Sequence, residues 1–381
     1  MQKVIIETSE NYRFDRVLQA VERIFDQLGG LSSFVKPGMR VAIKPNLLMA
    51  KKPDDAATTH PHVVKAVIAL VQQAGGIASI VESPGGPYNA TLLRRIYGAT
   101  GMEAAANETG AELNYDLRVE KVENAEAKIV KSLKILKPLH DADLIINLAK
   151  LKTHGMMVYS GAVKNMFGSI AGLEKADYHM RMSEYDRFAD SLIDIYLATK
   201  PRLNIIDGII AMEGEGPSSG VPKWLGVLLG STDGFACDYA ALQIINVDYR
   251  MVPVLRLAQE RGLLRPEEIE LIGASIESVR PDDFDVPALS GIKSRSGIGL
   301  LSLIGKRLKP KPVILHDVCK LCGKCMEVCP PKIIKPDENK QLTIDYSKCI
   351  RCFCCHEFCP EKAIKIKKTA FNKLFEYKRL S

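Results

Sequence analysis

The chain has 381 residues, room for two or three domains, and its 46% hydrophobic and 25% charged residues are an ordinary globular balance. The longest apolar stretch, residues 297–305, is far too short to span a membrane as a helix. The formal charge of +7 is uneven: residues 306–381 hold 18 basic against 8 acidic residues, a net of +10, which leaves close to −3 for the rest. That same basic segment is rich in cysteines, whose thiolates offset its charge when they bind metal, so nucleic acid is not an expected partner.

Residues 1–275 alternate strand and helix signals. Residues 3–8 predict a strand. Residues 11–28 have helical spacing through Val17, Val21, Ile24, Phe25 and Leu28, and stop at Gly29-Gly30. Residues 41–44 predict a strand. A helix opens at Pro61, carries Val64, Val67, Ile68 and Val71 on one face, and stops at Gly75-Gly76. Strands follow at 77–81 and 144–148, a helix at 187–199, a strand at 203–206 and a helix at 233–246. This rhythm predicts an α/β domain with a mostly parallel sheet and helices on both faces.

Ligands of open α/β sheets sit at the carboxyl ends of strands. Four predicted strands run straight into polar groups there: Lys44-Pro45-Asn46, Glu82-Ser83-Pro84-Gly85-Gly86, Lys150-Leu151-Lys152-Thr153-His154, and Asp207-Gly208. If those strands are neighbours, their tips form one pocket; otherwise they are separate caps facing solvent. Thr58-Thr59-His60 precedes Pro61 at a helix start, where unpaired N–H groups favour an anion, although capping and local packing explain His60 equally well. The string Ser160-Gly161-Ala162-Val163-Lys164-Asn165-Met166-Phe167-Gly168 follows, then Lys175 and His179. Lys150, Lys152 and Lys164 beside apolar strand ends and glycines suit a phosphate or carboxylate. The candidate binding residues are therefore Lys44, Asn46, Thr59, His60, Glu82, Lys150, Asn165 and Asp207, with His154, Lys152 and Lys164 as candidate proton donors. The loop at 213–220 has the composition of a lid, a hard-cation site or a plain surface loop. There is no GxGxxG fingerprint and no Walker loop, hence no direct case for NAD or ATP.

Residues 276–312 form a linker that begins acidic and ends basic. Ile298, Leu300, Leu301, Leu303 and Ile304 give it an amphipathic stretch that packs on its own domain or rests on an anionic membrane. The basic tail at 369–381 repeats that ambiguity.

Eight of the ten cysteines lie between these segments in two copies of C-x2-C-x2-C-x3-C-P, 30 residues apart. The copies are Cys319, Cys322, Cys325, Cys329 and Cys349, Cys352, Cys355, Cys359. In this bacterial iron–sulfur run, three cysteines hold one [4Fe–4S] cluster and the fourth ligates the other. Crossed ligation gives Cys319, Cys322, Cys325 and Cys359 for one cluster, and Cys349, Cys352, Cys355 and Cys329 for the second. Zinc sites more often use separated cysteine pairs, and a disulfide framework expects a short secreted chain. Ile314 with Ile344, Lys332 with Lys362, and Ile334 with Ile364 extend the repeat. Cys354 and Cys237 remain outside the scheme, the first as a thiol beside a cluster, the second as a small core residue.

Residues 313–368 resemble a two-cluster bacterial ferredoxin, an α+β module for one-electron transfer at low potential. The strings KPNLL, TTHP, ESPGG, AKLKTH, SGAVKNMFG, MEGEGP and STDGFACD resemble the domain of unknown function 362 family over residues 1–275. Members of that family are often fused to such a ferredoxin module, and the resemblance implies a cytoplasmic iron–sulfur protein of archaea or anaerobic bacteria. The layout near Asn46 and His60 is also similar to the N-terminal domain of nickel-dependent lactate racemases. Two functions stay open: a reductase of an anionic substrate or cofactor, or an electron carrier and partner-binding module without chemistry of its own. Either expects a redox partner protein; the reductase also expects a small anionic ligand.

Overall fold

The computed structural model describes residues 1–287 and 310–367. In chain order the first domain runs β1 (Gln2–Thr8), α1 (Phe14–Gln27), β2 (Arg40–Pro45), α2 (Pro61–Gln73), β3 (Ile77–Ile80), α3 (Ala90–Ala99), α4 (Met102–Thr109), β4 (Glu112–Leu113), β5 (Val119–Glu123), β6 (Ser132–Leu136), α5 (Lys137–His140), β7 (Leu144–His154), β8 (Val158–Ser160), α6 (Ala162–Asn165), α7 (Glu174–Arg181), α8 (Tyr185–Thr199), β9 (Leu203–Glu213), β10 (Val221–Ser231), α9 (Gly234–Ile244), α10 (Pro253–Glu260), β11 (Ile269–Gly273) and α11 (Ile276–Val279).

Strand side chains alternate between faces, so apolar runs feed two cores. Ile5, Ile43, Ile146, Ile205 and Leu228 join one core with α1, α2 and α3, through Val17, Val67 and Leu93. Their chain neighbours Ile6, Ala42, Ile145, Ile206 and Leu229 join the other with α6, α8 and α9, through Val163, Leu192 and Ala240. Helices thus cover both faces, as the βα rhythm predicts. Sheet order is β11-β1-β10-β9-β7-β2-β3-β4, with β8 added to β7. The pairs β9/β7, β7/β2, β2/β3, β3/β4 and β1/β11 are parallel; β10 runs antiparallel to β1 and β9.

The four strands with polar tips are neighbours, in the order β3-β2-β7-β9. Lys44 stands opposite Asn147, and Lys150 opposite Asp207. Both β7 and β9 continue well past the expected ends at 148 and 206. All eleven residues of β7 are buried, including Lys150, Lys152 and His154. Sequence polarity suggests a strand end there; hydrogen-bonded partners instead let the polar residues stay inside. Helix α2 begins at Pro61 after His60, whose ring accepts from His62 N, and it ends before Gly75, held at φ +84°. Helices α3 and α4 and strands β10 and β11 lie outside the elements the sequence predicts.

Past α11 the chain stays on this domain. Phe284 is buried in its core, Gly214 N donates to Asp285 O (2.7 Å), and Asp285 N donates to Glu213 (2.9 Å). The amphipathic part of the expected linker, from 288 to 309, and the tail at 369–381 lie outside the described residues. Among the described residues no helix is long and apolar enough to cross a membrane.

The second domain consists of β12 (Lys311–Ile314), α12 (Lys324–Val328), β13 (Ile334–Pro336), β14 (Leu342–Ile344), α13 (Cys354–Glu357) and β15 (Ile364–Lys367). Strand β12 pairs with β15 and β13 with β14, both antiparallel. The 30-residue repeat is written into the backbone: left-handed φ recurs at Leu321 and Arg351, Gly323 and Phe353, Lys332 and Lys362. Non-glycine residues in this region cost about 1–2 kcal/mol each. Their recurrence at matching positions marks a turn geometry that the thiol arrangement requires.

Candidate functional site

Three buried networks hold the polar strand tips. In the first, Lys44 Nζ donates to Glu82 Oε2 (2.8 Å), Asn165 Oδ1 (3.3 Å) and Pro45 O (3.1 Å). Glu82 also accepts from Ser83 N and Leu47 N, so its carboxylate is fully engaged. Burial pulls the Lys44 amine below its ordinary value, against the opposing pull of Glu82. In the second network, Lys150 Nζ donates to Asp207 Oδ2 (2.9 Å) and to Tyr12 OH (2.8 Å). Tyr12 OH donates to Asp207 Oδ1 (2.7 Å), and its ring stacks on His60 at 3.6 Å between centroids. His60 N donates to Asp207 Oδ2 (2.9 Å), so the anion expected at the start of α2 is the chain's own carboxylate. Burial lowers the His60 ring to about 3.

The third network faces a cavity. Lys152 Nζ donates to Asn46 Oδ1 and to Ala57 O, both 2.7 Å, which leaves one of its three N–H groups without a partner among the described residues. Asn46 Nδ2 donates to Asn165 Oδ1 (2.9 Å), and Asn165 Nδ2 donates to Asn147 Oδ1 (2.7 Å). Thr59 Oγ1 braces Asn46 by accepting its N–H while donating to Leu148 O. Burial, then the neighbouring Lys164, lower the Lys152 amine to about 7.

The cavity holds about 90 Å³ and is lined by Asn46, Glu82, Lys152, Lys164, Asn165, Lys175 and His179 from the first domain. That is room for on the order of six waters or one small molecule. Lys175 Nζ is used up on Ser83 O (2.5 Å), Ser83 Oγ (3.0 Å) and Pro84 O (3.1 Å). The His179 ring stacks on Phe188 at 4.3 Å, and its buried Nδ1 has no hydrogen-bond partner among the described residues. Lys164, in the last turn of α6, is the half-buried counterpart of these tied amines. Its ammonium makes no hydrogen bond or ion pair to any described residue, and burial pulls its amine below the ordinary value while Glu357 and Cys354 oppose. Lys44, Thr59, His60, Lys150, His154 and Asp207 do not line this cavity; they lie beneath or beside it.

The opposite wall belongs to the second domain. Val328, Cys354, Glu357 and Phe358 line the same cavity. The seam is specific. Ser218 Oγ donates to Glu357 O (2.5 Å), His356 Nε2 meets Glu215 O (3.3 Å), and Lys365 pairs with Glu215 (2.5 Å). The acidic loop after β9 is therefore neither free surface nor lid; it binds the two domains together. A Cβ on Gly85 would collide with the Phe358 ring, and one on Gly155 with Ile366 Cδ1, so both glycines serve close approach at the seam. His154 Nδ1 accepts from Met156 N (3.0 Å) and Met157 N (3.2 Å), which puts the proton on Nε2. That Nε2 lies 3.8 Å from Glu357 Oε2. Burial holds His154 well below its ordinary value, so the contact is a neutral N–H facing a carboxylate. Glu357 and Phe358 were hidden from sequence reasoning inside the cysteine run, where Glu327-Val328 repeats the same pattern.

The thiols form two sets. Cys319, Cys322, Cys325 and Cys359 ring one cavity with Ile314, Leu342 and Ile364. Cys355 has Cys352, Cys349 and Cys329 as neighbouring thiols, with Cys325 of the first set the next contributor. Among the described residues no three His, Cys, Asp or Glu side chains converge as a single metal ion would need. Backbone N–H groups aim at the sulfurs: Ala363 N donates to Cys359 Sγ (3.2 Å), and the N–H groups of Lys332, Ile333 and Ile334 face Cys329. Thiols around a cavity, with N–H donors behind them, fit a [4Fe–4S] cluster.

Residues 41–243 match the family described as domain of unknown function (DUF362), and 311–360 match a 4Fe-4S dicluster domain. A thylakoid-associated protein of Synechocystis sp. is 36% identical over 278 residues, 71% of this chain and 83% of that one. The chain belongs to the DUF362 family. It is an iron–sulfur electron-transfer protein with a 4Fe-4S dicluster domain. Two solved structures are more distant. The lactate racemase apoprotein of Thermoanaerobacterium thermosaccharolyticum has TM-score 0.43 at 13% identity, over 64% of this chain and 56% of its own. A Thermotoga maritima protein has TM-score 0.35 at 11% identity, over 65% of this chain and 59% of its own. This chain thus spans less than two thirds of either structure. In this DUF362 chain the matched region contains every first-domain residue named above as lining the cavity, and the dicluster domain supplies the opposite wall.

Proposed function

We propose that this DUF362 protein is a reductase in which low-potential electrons from two [4Fe–4S] clusters reach a small anionic molecule held in the seam cavity. The observation that carries this reading is the composite wall. Cys354, Glu357 and Phe358, from among the cluster thiols, face Lys152, Lys164 and Asn165 across one cavity. A plain electron carrier has no use for such a cavity. When bound, the clusters supply single electrons at low potential.

The chain's own residues do the rest. Among the described residues Lys164 leaves three N–H donors without a partner and Lys152 one, and each charge-assisted contact to an anion is worth roughly 1.5–3 kcal/mol. Lys152, with its amine near 7, is poised to give a proton at neutral pH, and the fixed Nε2–H of His154 stands behind Glu357. The Lys44–Glu82 and Lys150–Asp207 pairs, with Tyr12 and His60, hold the strand tips rigid so that Asn46 and Asn165 keep their aim. A protein redox partner meets the second domain at its exposed edge, where Val318, Leu321 and Cys322 face solvent. The expected setting is a reducing, oxygen-poor cytoplasm, since the exposed ligand Cys322 leaves its cluster open to oxidants.

The test uses full-length protein reduced anaerobically with dithionite and mixed with the small-molecule fraction of the producing cell. Cluster absorbance is expected to recover at least tenfold faster in the wild type than in Lys164→Ala. Equal recovery in the two proteins would remove the reductase reading in favour of a carrier.

A further inference from the structure

The two thiol sets occupy different surroundings. In the first cysteine run Cys322 and Lys324 are exposed and Cys319 is half-buried; Leu321 is 53% exposed. In the second run every residue from Cys352 to His356 is buried. The asymmetry has a direction. Three of the four cavity-lining residues of the second domain adjoin the set Cys329, Cys349, Cys352 and Cys355: Val328 precedes Cys329, Cys354 lies between Cys352 and Cys355, and Glu357 lies two residues beyond Cys355. The set with Cys319 and Cys322 rings a separate cavity.

Cys354 is the link between cluster and cavity. It is 4% exposed, lines the seam cavity, and stands between Cys352 and Cys355, so its buried S–H has cluster sulfurs as its neighbouring acceptors. Its counterpart in the first run is Lys324, an exposed residue with no thiol. A donor on a cluster sulfur stabilises the more negative, reduced state and so raises the potential.

We propose that Cys329, Cys349, Cys352 and Cys355 hold the cluster that faces the cavity, that the other set holds a solvent-side cluster, and that Cys354, a positioning residue, raises the potential of the cavity-side cluster through Cys352. The order of electron flow, solvent side to cavity side, rests on the reductase reading; the inequivalence and the role of Cys354 do not. Electrons then move downhill by one each from the solvent-side cluster to the cavity-side cluster, whose oxidised form accepts them.

The experiment reads the clusters rather than turnover. Full-length wild type, Cys354→Ala, Cys354→Ser and Cys322→Ser are titrated anaerobically with electron paramagnetic resonance detection. A soluble paramagnetic chromium complex is then added to mark the solvent-side cluster. Cys354→Ala should keep its iron and lower the midpoint of one cluster only, and Cys354→Ser, which keeps a donor, should restore it toward wild type. The shifted signal should be the one that survives in Cys322→Ser and is relaxed less by the chromium complex. A shift of both clusters, of neither, or of the cluster lost in Cys322→Ser overturns the proposal. If the midpoints behave as expected while Lys164→Ala leaves cluster reoxidation unchanged, the inequivalence stands and the reductase reading alone fails.

Discussion

The two cysteine runs share one spacing and one backbone, yet only the second is built into the rest of the protein. Both turn through left-handed residues at matching positions, Gly323 in the first and Phe353 in the second. Glycine takes that conformation without strain. Phenylalanine does not, and it is found there because its ring is 4% exposed within the larger core of the first domain. The next residue differs in the same sense: Lys324 points to solvent, whereas Cys354 faces the cavity. The cysteine spacing thus encodes the ligand geometry, and the residues between the cysteines decide what each cluster sees.

The largest expected effect breaks the symmetry outright. Wild-type protein should carry about eight irons per chain, as two four-iron clusters require. Cys355→Ser and Cys322→Ser should each lose roughly half of that by iron assay. Only Cys355→Ser should also open the seam to limited proteolysis, because Cys355 sits in the buried run. Equal protease sensitivity would mean that the second run is not what docks the domains.

The next effect sharpens the comparison at the paired turn positions. Phe353→Ala empties a buried site and should cost about 3–5 kcal/mol in denaturant unfolding. Gly323→Ala only forces a methyl group into a left-handed residue, at about 1–2 kcal/mol. Similar values for the two would put Phe353 outside the core.

How much of this is legible in sequence depends on the kind of signal. Strands such as β2 and β3 and helices such as α1 and α2 follow from apolar spacing closed by glycine or proline. The thiol sets follow from cysteine spacing. The true extent of β7 does not, because Lys150, Lys152 and His154 look like a strand end until their partners Asp207, Asn46 and the Met156 and Met157 amides are known. The sequence brings Lys150, Lys152 and Lys164 together as like charges. Tertiary pairing separates them into one neutralised by Asp207, one held by an amide, and one without a partner among the described residues. Nor does any local pattern reveal that the loop at 213–220 is a docking seam, since its partners His356, Glu357 and Lys365 lie more than a hundred residues away.

A smaller effect concerns pH at the cavity. His179 titrates at about 3 when folded, pushed down by burial, against an ordinary value near 6.5. The unfolded chain therefore takes up this proton first. Its contribution to stability is complete above pH 6.5 and is lost as pH falls toward 3. Replacing it, as in His179→Phe, should flatten the stability curve across that window in thermal unfolding; an unchanged slope would show that other groups dominate there. For Lys152 the same logic acts on binding: anion affinity should fall as pH rises above about 7, because the amine loses its proton.

The claim at the centre is that the Lys164 ammonium, unpartnered among the described residues, and the wall built by the second run together hold a small anion. Mass spectrometry of small molecules retained by anaerobically purified wild type and Lys164→Ala tests it most directly. One anion should come with the wild type at close to one per chain and be depleted about tenfold or more in the variant, the loss expected from one charge-assisted contact. No retained anion in the wild type, or the same amount in both proteins, would contradict the account.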